Sequence, residues 1–245
     1  MAVVALLWVS QNSRWAPTVR SFRGIAQNFM SVVSVLFALN IAFLAHDTWT
    51  AHDRALDAVF QEAGCLRNII DLAGHLPDGP RDRIIAAAGA YARVAVTEEW
   101  PALAHRENSH TASDRLDALL AELVASDVAA AAGPTVQTML LQQAMEARST
   151  RDLRTALSRT HVNPLKWMGM AFLGFLTMIS IVMVHVDQPR AEILAVLVFA
   201  AAAAPTAAII LVHGNPFQKP AAVTSTPIAA IAALAEAHAA GLTQP

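Results

Sequence analysis

A single cysteine, Cys65, and a single tyrosine, Tyr91, occur in 245 residues. One cysteine cannot close an intrachain disulfide, so no redox compartment can be read, and no paired-cysteine metal motif exists. Charge is also scarce: 15% of residues are Asp, Glu, Lys or Arg against 55% hydrophobic, where a soluble domain carries about a quarter charged. The formal net charge of −2 gives no strong general attraction to nucleic acid, which is not an expected partner. Sustained two-residue alternation of apolar and polar side chains is missing, so no sheet is expected and the fold class is all-α. No nucleophile–base pair or phosphate-cradling loop is found either. No enzyme activity, cofactor or metal is expected.

The shortage of charge is local. From Gly24 to Ala45 there is no charged residue, and Trp167–Val186 and Ile193–Val212 are each 20 residues without Asp, Glu, Lys or Arg. About 20 apolar residues are what a helix needs to cross a bilayer. The six residues Asp187–Glu192 between the last two suffice only for a tight antiparallel hairpin. His185, at one edge, is the only ionisable residue in these spans. Pumps and proton-coupled carriers bury such groups in mid-membrane, so their absence favours a passive conduit or a scaffold. Asp47–Arg159, by contrast, has the composition of an ordinary soluble helical segment.

The chain thus reads as an integral membrane helical protein with an extramembrane helical domain inserted between spans. Its parts are a short apolar N-terminal segment with a basic collar (1–23), a membrane span (24–45), the extramembrane domain (46–162), a two-span hairpin (163–213) and a C-terminal tail (214–245). Met1–Val9 is apolar but too short to cross a bilayer. It is compatible with a truncated span, an interfacial anchor or a misplaced start codon. Near the spans one side of the membrane would carry Arg14, Arg20, Arg23 and Arg190. The other would carry Arg54, Arg148, Arg151, Arg154, Arg159, Lys166 and Lys219, and the positive-inside rule leans towards a cytoplasmic domain. Arginine dominates the basic residues and alanine is abundant, which points to a GC-rich bacterial gene and hence a multi-pass protein of the bacterial inner membrane.

The first span runs on without a break into a helix with an apolar seam. Trp49, Leu56, Val59, Ala63, Leu66, Ile70 and Ala73 recur at steps of three and four, with His52 in the one non-apolar slot. That heptad spacing holds one face of a helix against a partner. Further helices are expected after Pro80, ending at Trp100-Pro101; from Ser113 to Ala132, broken at Gly133-Pro134; and from Thr135 to Arg159. Ile228, Ile231 and Leu234 mark a short, weakly amphipathic tail helix.

Several polar residues invite a functional reading beside a plainer one. Glu62, next to the seam, can place charge at a subunit interface or can fix register through a salt bridge. Glu98 and Glu99 point about 100° apart on a helix, so they do not converge on one substrate and read as a solvated helix end. His46 and His52 are spaced wrongly for a helical metal pair, although several copies of His52 can form a titrating ring. Arg148, Arg151, Arg154 and Arg159 can focus positive potential on anions, but first read as a solvated face near lipid headgroups. Asn40, in the span, contacts a neighbouring helix or lines a water-filled path.

Taken in order, Trp49, Arg54-Ala55, Val59, Glu62-Ala63, Tyr91, Glu98-Glu99-Trp100-Pro101, Arg148, Arg151, Leu153, Pro164, Trp167, Pro216-Phe217, Ser225 and Pro227 resemble the signature of bacterial multi-span proteins described as bestrophin-like. Two departures stand out: Lys219 occupies a place where that family usually has Gly, and the N-terminal span is abbreviated. The resemblance implies a four-span plan with the helical domain between spans two and three. Bestrophins are pentameric anion channels, so it also implies a homo-oligomer, possible pentamer included, in a lipid bilayer, passing small anions such as chloride. In that picture the Gly24–Ala73 helices surround an axis. Phe29, Val33, Phe37 and Asn40, on one stripe, are the candidates to line the pore. Trp49, His52, Leu56, Val59, Glu62 and Leu66 are the candidates for an oligomer contact or neck. The alternative is a non-conducting scaffold or signalling protein whose heptad helix binds a partner.

Overall fold

The computed structural model describes residues 23–159, 164–212 and 214–241. Met1–Val9, Arg14 and Arg20 therefore lie outside the described residues. Helices account for most of the described backbone, and no strand occurs among the described residues. In chain order they are α1 (Arg23–Ala73), α2 (Asp78–Val94), a π turn (Ala95–Glu99), α3 (Trp100–Ala104), α4 (His110–Leu123), α5 (Ser126–Arg159), α6 (Pro164–His185), α7 (Pro189–Val212) and α8 (Thr226–Ala239). α1 is one helix of 51 residues. Among the described residues three helices are long and apolar enough to cross a membrane, with spans in α1, α6 and α7. The chain is all-α, as its lack of strand periodicity predicts.

The chain divides into two compact units, Met1–Trp49 with His161–Gly214 and Thr50–Thr160 with Asn215–Pro245. In the first, large apolar side chains point outward: Phe29, Phe43, Met168, Phe172, Leu194 and Val198 are all exposed. Between its helices contact is close and small. The Phe37 and Phe199 rings lie 5.3 Å apart at 47°, and a Cβ added to Gly174 would stand 3.0 Å from Cε2 of Phe37. Glycines that let helices approach in this way are the usual packing device where lipid removes the hydrophobic drive. The Thr177 and Ser180 hydroxyls donate to the carbonyls of Leu173 and Leu176, one turn back. They are satisfied without leaving their own helix.

The second unit has an ordinary buried core. Ile84, Leu103, Leu116, Leu119, Leu123 and Leu140 are wholly enclosed there. α8 packs on α2 so tightly that a Cβ on Gly89 would come within 2.5 Å of the Ala235 Cβ. The segment after the last span therefore belongs to this unit's core, where Phe217, Val223, Ile228 and Ile231 are buried.

Three element boundaries differ from the sequence expectation, each for a local reason. Pro101 does not end a helix; it sits in the first turn of α3, where a missing N–H costs nothing. The break expected at Gly133-Pro134 is a kink inside α5, with Gly133 at φ 68°, a conformation glycine adopts without a Cβ clash. The true gap before α5 falls at Val124-Ala125. α4 begins at His110, because the Ser109 hydroxyl accepts from the Ala112 N–H at 3.2 Å and caps it.

Candidate functional site

The second unit buries four charged side chains at its centre. Glu62 comes from α1, Glu99 from the π turn, and Arg151 and Arg154 from one face of α5, three residues apart. Arg154 is enclosed completely, as are both carboxylates. Its Nε donates to Glu62 Oε2 at 2.8 Å, and its Nη2 donates to Glu62 Oε1 at 3.1 Å and to Glu99 Oε2 at 2.7 Å. Arg151 holds the other oxygen of Glu99 through Nη2 at 2.5 Å, and that nitrogen also donates to the Ser113 hydroxyl at 3.0 Å. The Tyr91 hydroxyl donates to Glu62 Oε1 at 2.5 Å. Two negative and two positive charges cancel, and nearly every lone pair and proton is used.

The π turn is what brings Glu99 in. Its wider winding shifts the register of the chain after Val94, so Glu99 is buried while Glu98 faces solvent. Insertions of this kind inside helices recur at functional sites. Trp100 follows directly and lies against the cluster, with the Arg154 guanidinium 5.0 Å from its ring centroid. Its indole N–H donates to the Val223 carbonyl at 3.1 Å.

Electrostatics fix the charge states. Burial alone would pull the Arg154 guanidinium down, but the carboxylates of Glu62 and Glu99 outweigh it, and its pKa stands above the ordinary value. Burial and then Glu62 push the Tyr91 phenol well up, so it remains a neutral donor. Cys65 is buried nearby, and burial followed by Glu146 and Glu62 raises its thiol too.

Two sequence expectations are corrected here. Glu99 is no solvated helix end, because the π turn changes its direction. Arg151 and Arg154 form no headgroup-facing surface, because each has a buried carboxylate to meet; Arg148, exposed, pairs with Asp117 at 2.6 Å. Glu62 makes a salt bridge that locks α1 to α5 within the chain. The heptad seam is likewise used internally from Val59 onward: Val59, Ala63, Leu66, Ile70 and Ala73 all enter the unit's own core. Val59, Glu62 and Leu66 are thus enclosed and have no surface left for a second copy. Trp49 is exposed, and His52 and Leu56 are half-buried.

In the membrane unit Phe29 is exposed, Val33 is buried, and Phe37 and Asn40 are half-buried. Phe37 and Asn40 face α6, Phe37 at Gly174 and Asn40 near Gly169. The Asn40 amide oxygen is buried with no hydrogen-bond partner. Asp47 and Lys166 form an exposed ion pair linking α1 to α6. Among the described residues no group of three or more His, Cys, Asp or Glu converges as a metal site would require.

The family model described as Bestrophin-like domain matches residues 1–228. Among solved structures, a bacterial bestrophin homologue from Klebsiella pneumoniae carrying a point mutation is similar with a TM-score of 0.68 at 11% identity, covering 100% of this chain and 98% of that one. A second structure of the Klebsiella pneumoniae homologue gives 0.67 at 11% identity with the same coverage. A crystal structure described as a mutant membrane protein gives 0.66 at 13%, covering 100% and 93%. No curated protein matches the chain.

Proposed function

We propose an ion-channel function from one established premise: this chain belongs to the Bestrophin-like domain family, which it matches over residues 1–228. That match is the observation that carries the reading, and the three apolar helices and the shared fold agree with it. In this reading the protein assembles with copies of itself in the bacterial cell membrane, its helical domain on the cytoplasmic side, and conducts small anions rather than catalysing a reaction.

The α1 helices surround the axis, and the stripe Phe29, Val33, Phe37 and Asn40 is assigned to the path, with Phe29 exposed to it and Phe37 and Asn40 at the seam between α1 and α6. The free amide oxygen of Asn40 supports this assignment. A buried carbonyl in an apolar bundle costs roughly 1–3 kcal/mol unless water or another group meets it, and a wetted path or a neighbouring copy supplies one. The neck contact narrows to Trp49, His52 and Leu56, the seam positions that retain accessible surface. A partner-binding scaffold is the less favoured reading, since the seam it would use is largely closed by the chain's own helices.

Ion flux through the purified protein in liposomes tests the proposal, with oligomer size measured on the same preparation. Chloride flux from a defined oligomer, lost when Asn40 is replaced by a bulky residue, is the expected result. A folded oligomer that passes no ions under varied pH, calcium and voltage would overturn the channel reading in favour of a scaffold. Cation flux without anion flux would overturn the selectivity alone.

A further inference from the structure

The stretch from Asn215 to Val223 has no regular structure, yet every polar anchor in it is placed. The Asn215 amide donates to the Leu103 carbonyl at 2.9 Å and to the Ala104 carbonyl at 3.3 Å. It thereby closes the C-terminal end of α3, whose last carbonyls have no partner within the helix. Its oxygen accepts from the Phe217 N–H at 3.0 Å, and the Val223 N–H donates to the Pro216 carbonyl at 2.8 Å. Phe217 meets the Trp100 ring edge-on at 5.5 Å and 89°, and Val223 takes the indole proton. Trp100 therefore touches this stretch through its ring and its N–H, and Arg154 lies over the same ring at 5.0 Å.

We infer that Asn215–Val223 is a strap closing over the buried ion cluster, and that Trp100 couples the docking of the strap to the integrity of the cluster. When the strap is seated, the Ala104 carbonyl and the indole N–H are satisfied, the Leu103 carbonyl gains a second donor beside the Arg106 N–H, and Phe217 seals the ring in place. When it lifts, those groups turn to water and Trp100 loses the contacts that hold it over Arg154. One guanidinium nitrogen of Arg154, Nη1, is buried without a partner, so water that reaches the cluster finds an unused donor at once. Attraction between charges weakens as the local dielectric rises, so a wetted Arg154 holds Glu62 and Glu99 less firmly. The consequence falls on α5 at Arg151 and Arg154 and, through the Arg151 bond to Ser113, on the first turn of α4, while the apolar packing of α4 from Leu116 onward is untouched. Strap and cluster form a two-state device, seated and dry or lifted and wet, independent of whether the protein conducts ions.

Amide hydrogen exchange on the full chain in lipid nanodiscs tests this, using wild type, Asn215→Ala, Trp100→Phe and the double variant. Asn215→Ala removes the two strap anchors on α3; Trp100→Phe keeps a ring over Arg154 and removes the N–H donor. Each single variant is expected to raise exchange about tenfold in residues 215–225 and in the part of α5 holding Arg151 and Arg154, with the Leu116–Leu119 amides of α4 unchanged. In the double variant the α5 effect should not exceed that of the larger single, the non-additivity expected of one shared link. Faster exchange confined to 215–225 would overturn the coupling. So would an equal rise in α4 and α5, which is general loosening, or a double effect equal to the product of the singles. Should Asn215→Ala fail to fold, Trp100→Phe alone still reads the α5 response against α4.

Discussion

In the membrane unit the hydroxyls of Thr177 and Ser180 fold back onto their own helix and large apolar side chains point outward. In the extramembrane unit Phe217, Leu116 and Ile84 are inside, and four charged groups from three segments meet among them. The two units face different solvents, and each places its polar groups accordingly. Lipid offers no hydrogen bonds, so a membrane helix must satisfy its polar atoms within reach of its own turn. Water offers them freely, so a buried charge in the other unit persists only if protein partners replace what water gave. Glu62, Glu99 and Arg151 meet that condition, and Arg154 meets it at Nε and Nη2 but not at Nη1. Asn40, in the membrane unit, does not.

Breaking the ion cluster gives the largest expected effect. Arg154→Met removes two hydrogen bonds from Glu62 and one from Glu99 and leaves Glu62 buried without its counter-charge, while Glu99 keeps Arg151. Removing one partner of a buried pair costs about 3–5 kcal/mol. Chemical denaturation of the purified protein, followed by circular dichroism, should show a loss of that order for the extramembrane transition. A loss below about 1 kcal/mol, the value of an exposed pair, would mean that water reaches the cluster and that the contrast between the units is overstated.

How far this site could be read in advance depends on the residue. The two later spans and the helical class follow from composition and periodicity alone. Glu62, Tyr91, Glu99, Trp100, Arg151 and Phe217 are all among the residues that carry the family resemblance, and all converge at or beside the cluster. Read singly, they did not announce this. A 100° step per residue separates Glu98 from Glu99 but gives no hint of a π turn that rotates the latter inward. Arg154 stood out least, as one of several arginines near a membrane entry. Its signal was faint: it lies three residues from Arg151 on a face shared with Ala144, Ala147 and Leu157, all buried. The seam on α1 was visible, but spacing shows only that a helix face is covered, and the cover here is the chain's own core.

Glycine contacts sharpen the comparison at intermediate cost. Gly89→Ala puts a methyl 2.5 Å from the Ala235 Cβ, a backbone-anchored group that cannot swing aside. Overpacking of this kind costs about 1–3 kcal/mol, and Ala235→Gly should restore the loss. Gly174→Ala in the membrane unit meets the tip of the Phe37 ring at 3.0 Å, which can rotate, so its cost should be smaller. Thermal midpoints of the two variants decide it; equal losses would show that Phe37 is locked as firmly as Ala235.

Asn40→Leu tests the membrane unit's one exception. The substitution removes a buried oxygen that has no partner and keeps the branched shape of the side chain, so stability should be unchanged or rise by up to about 1 kcal/mol. A loss of more than about 1 kcal/mol in the same melts would reveal a partner that the single chain lacks, such as a second copy. Glu62→Gln, by comparison, should cost more, because its neighbours remain charged.

The smallest effect belongs to the exposed ion pairs, and it separates burial from charge as the source of the cluster's strength. Arg83 bridges Glu122 at 3.0 Å and Asp127 at 2.5 Å on the surface. The Arg83 hydrogen bond holds the Asp127 carboxyl below the ordinary carboxylate range. The unfolded chain, with its aspartates near about 3.9, therefore takes up this proton first as pH falls. The pair's contribution is present above that value and disappears as pH drops through the folded one. Asp127→Asn should flatten this limb of a stability–pH curve slightly and leave neutral pH almost unchanged. At 1 M salt, where the Debye length is about 3 Å, the difference between Asp127→Asn and wild type should vanish. The penalty of Arg154→Met should survive the same salt, because ions cannot enter a site that excludes water. If salt abolished both, charge alone and not enclosure would hold α1, α5 and the π turn together.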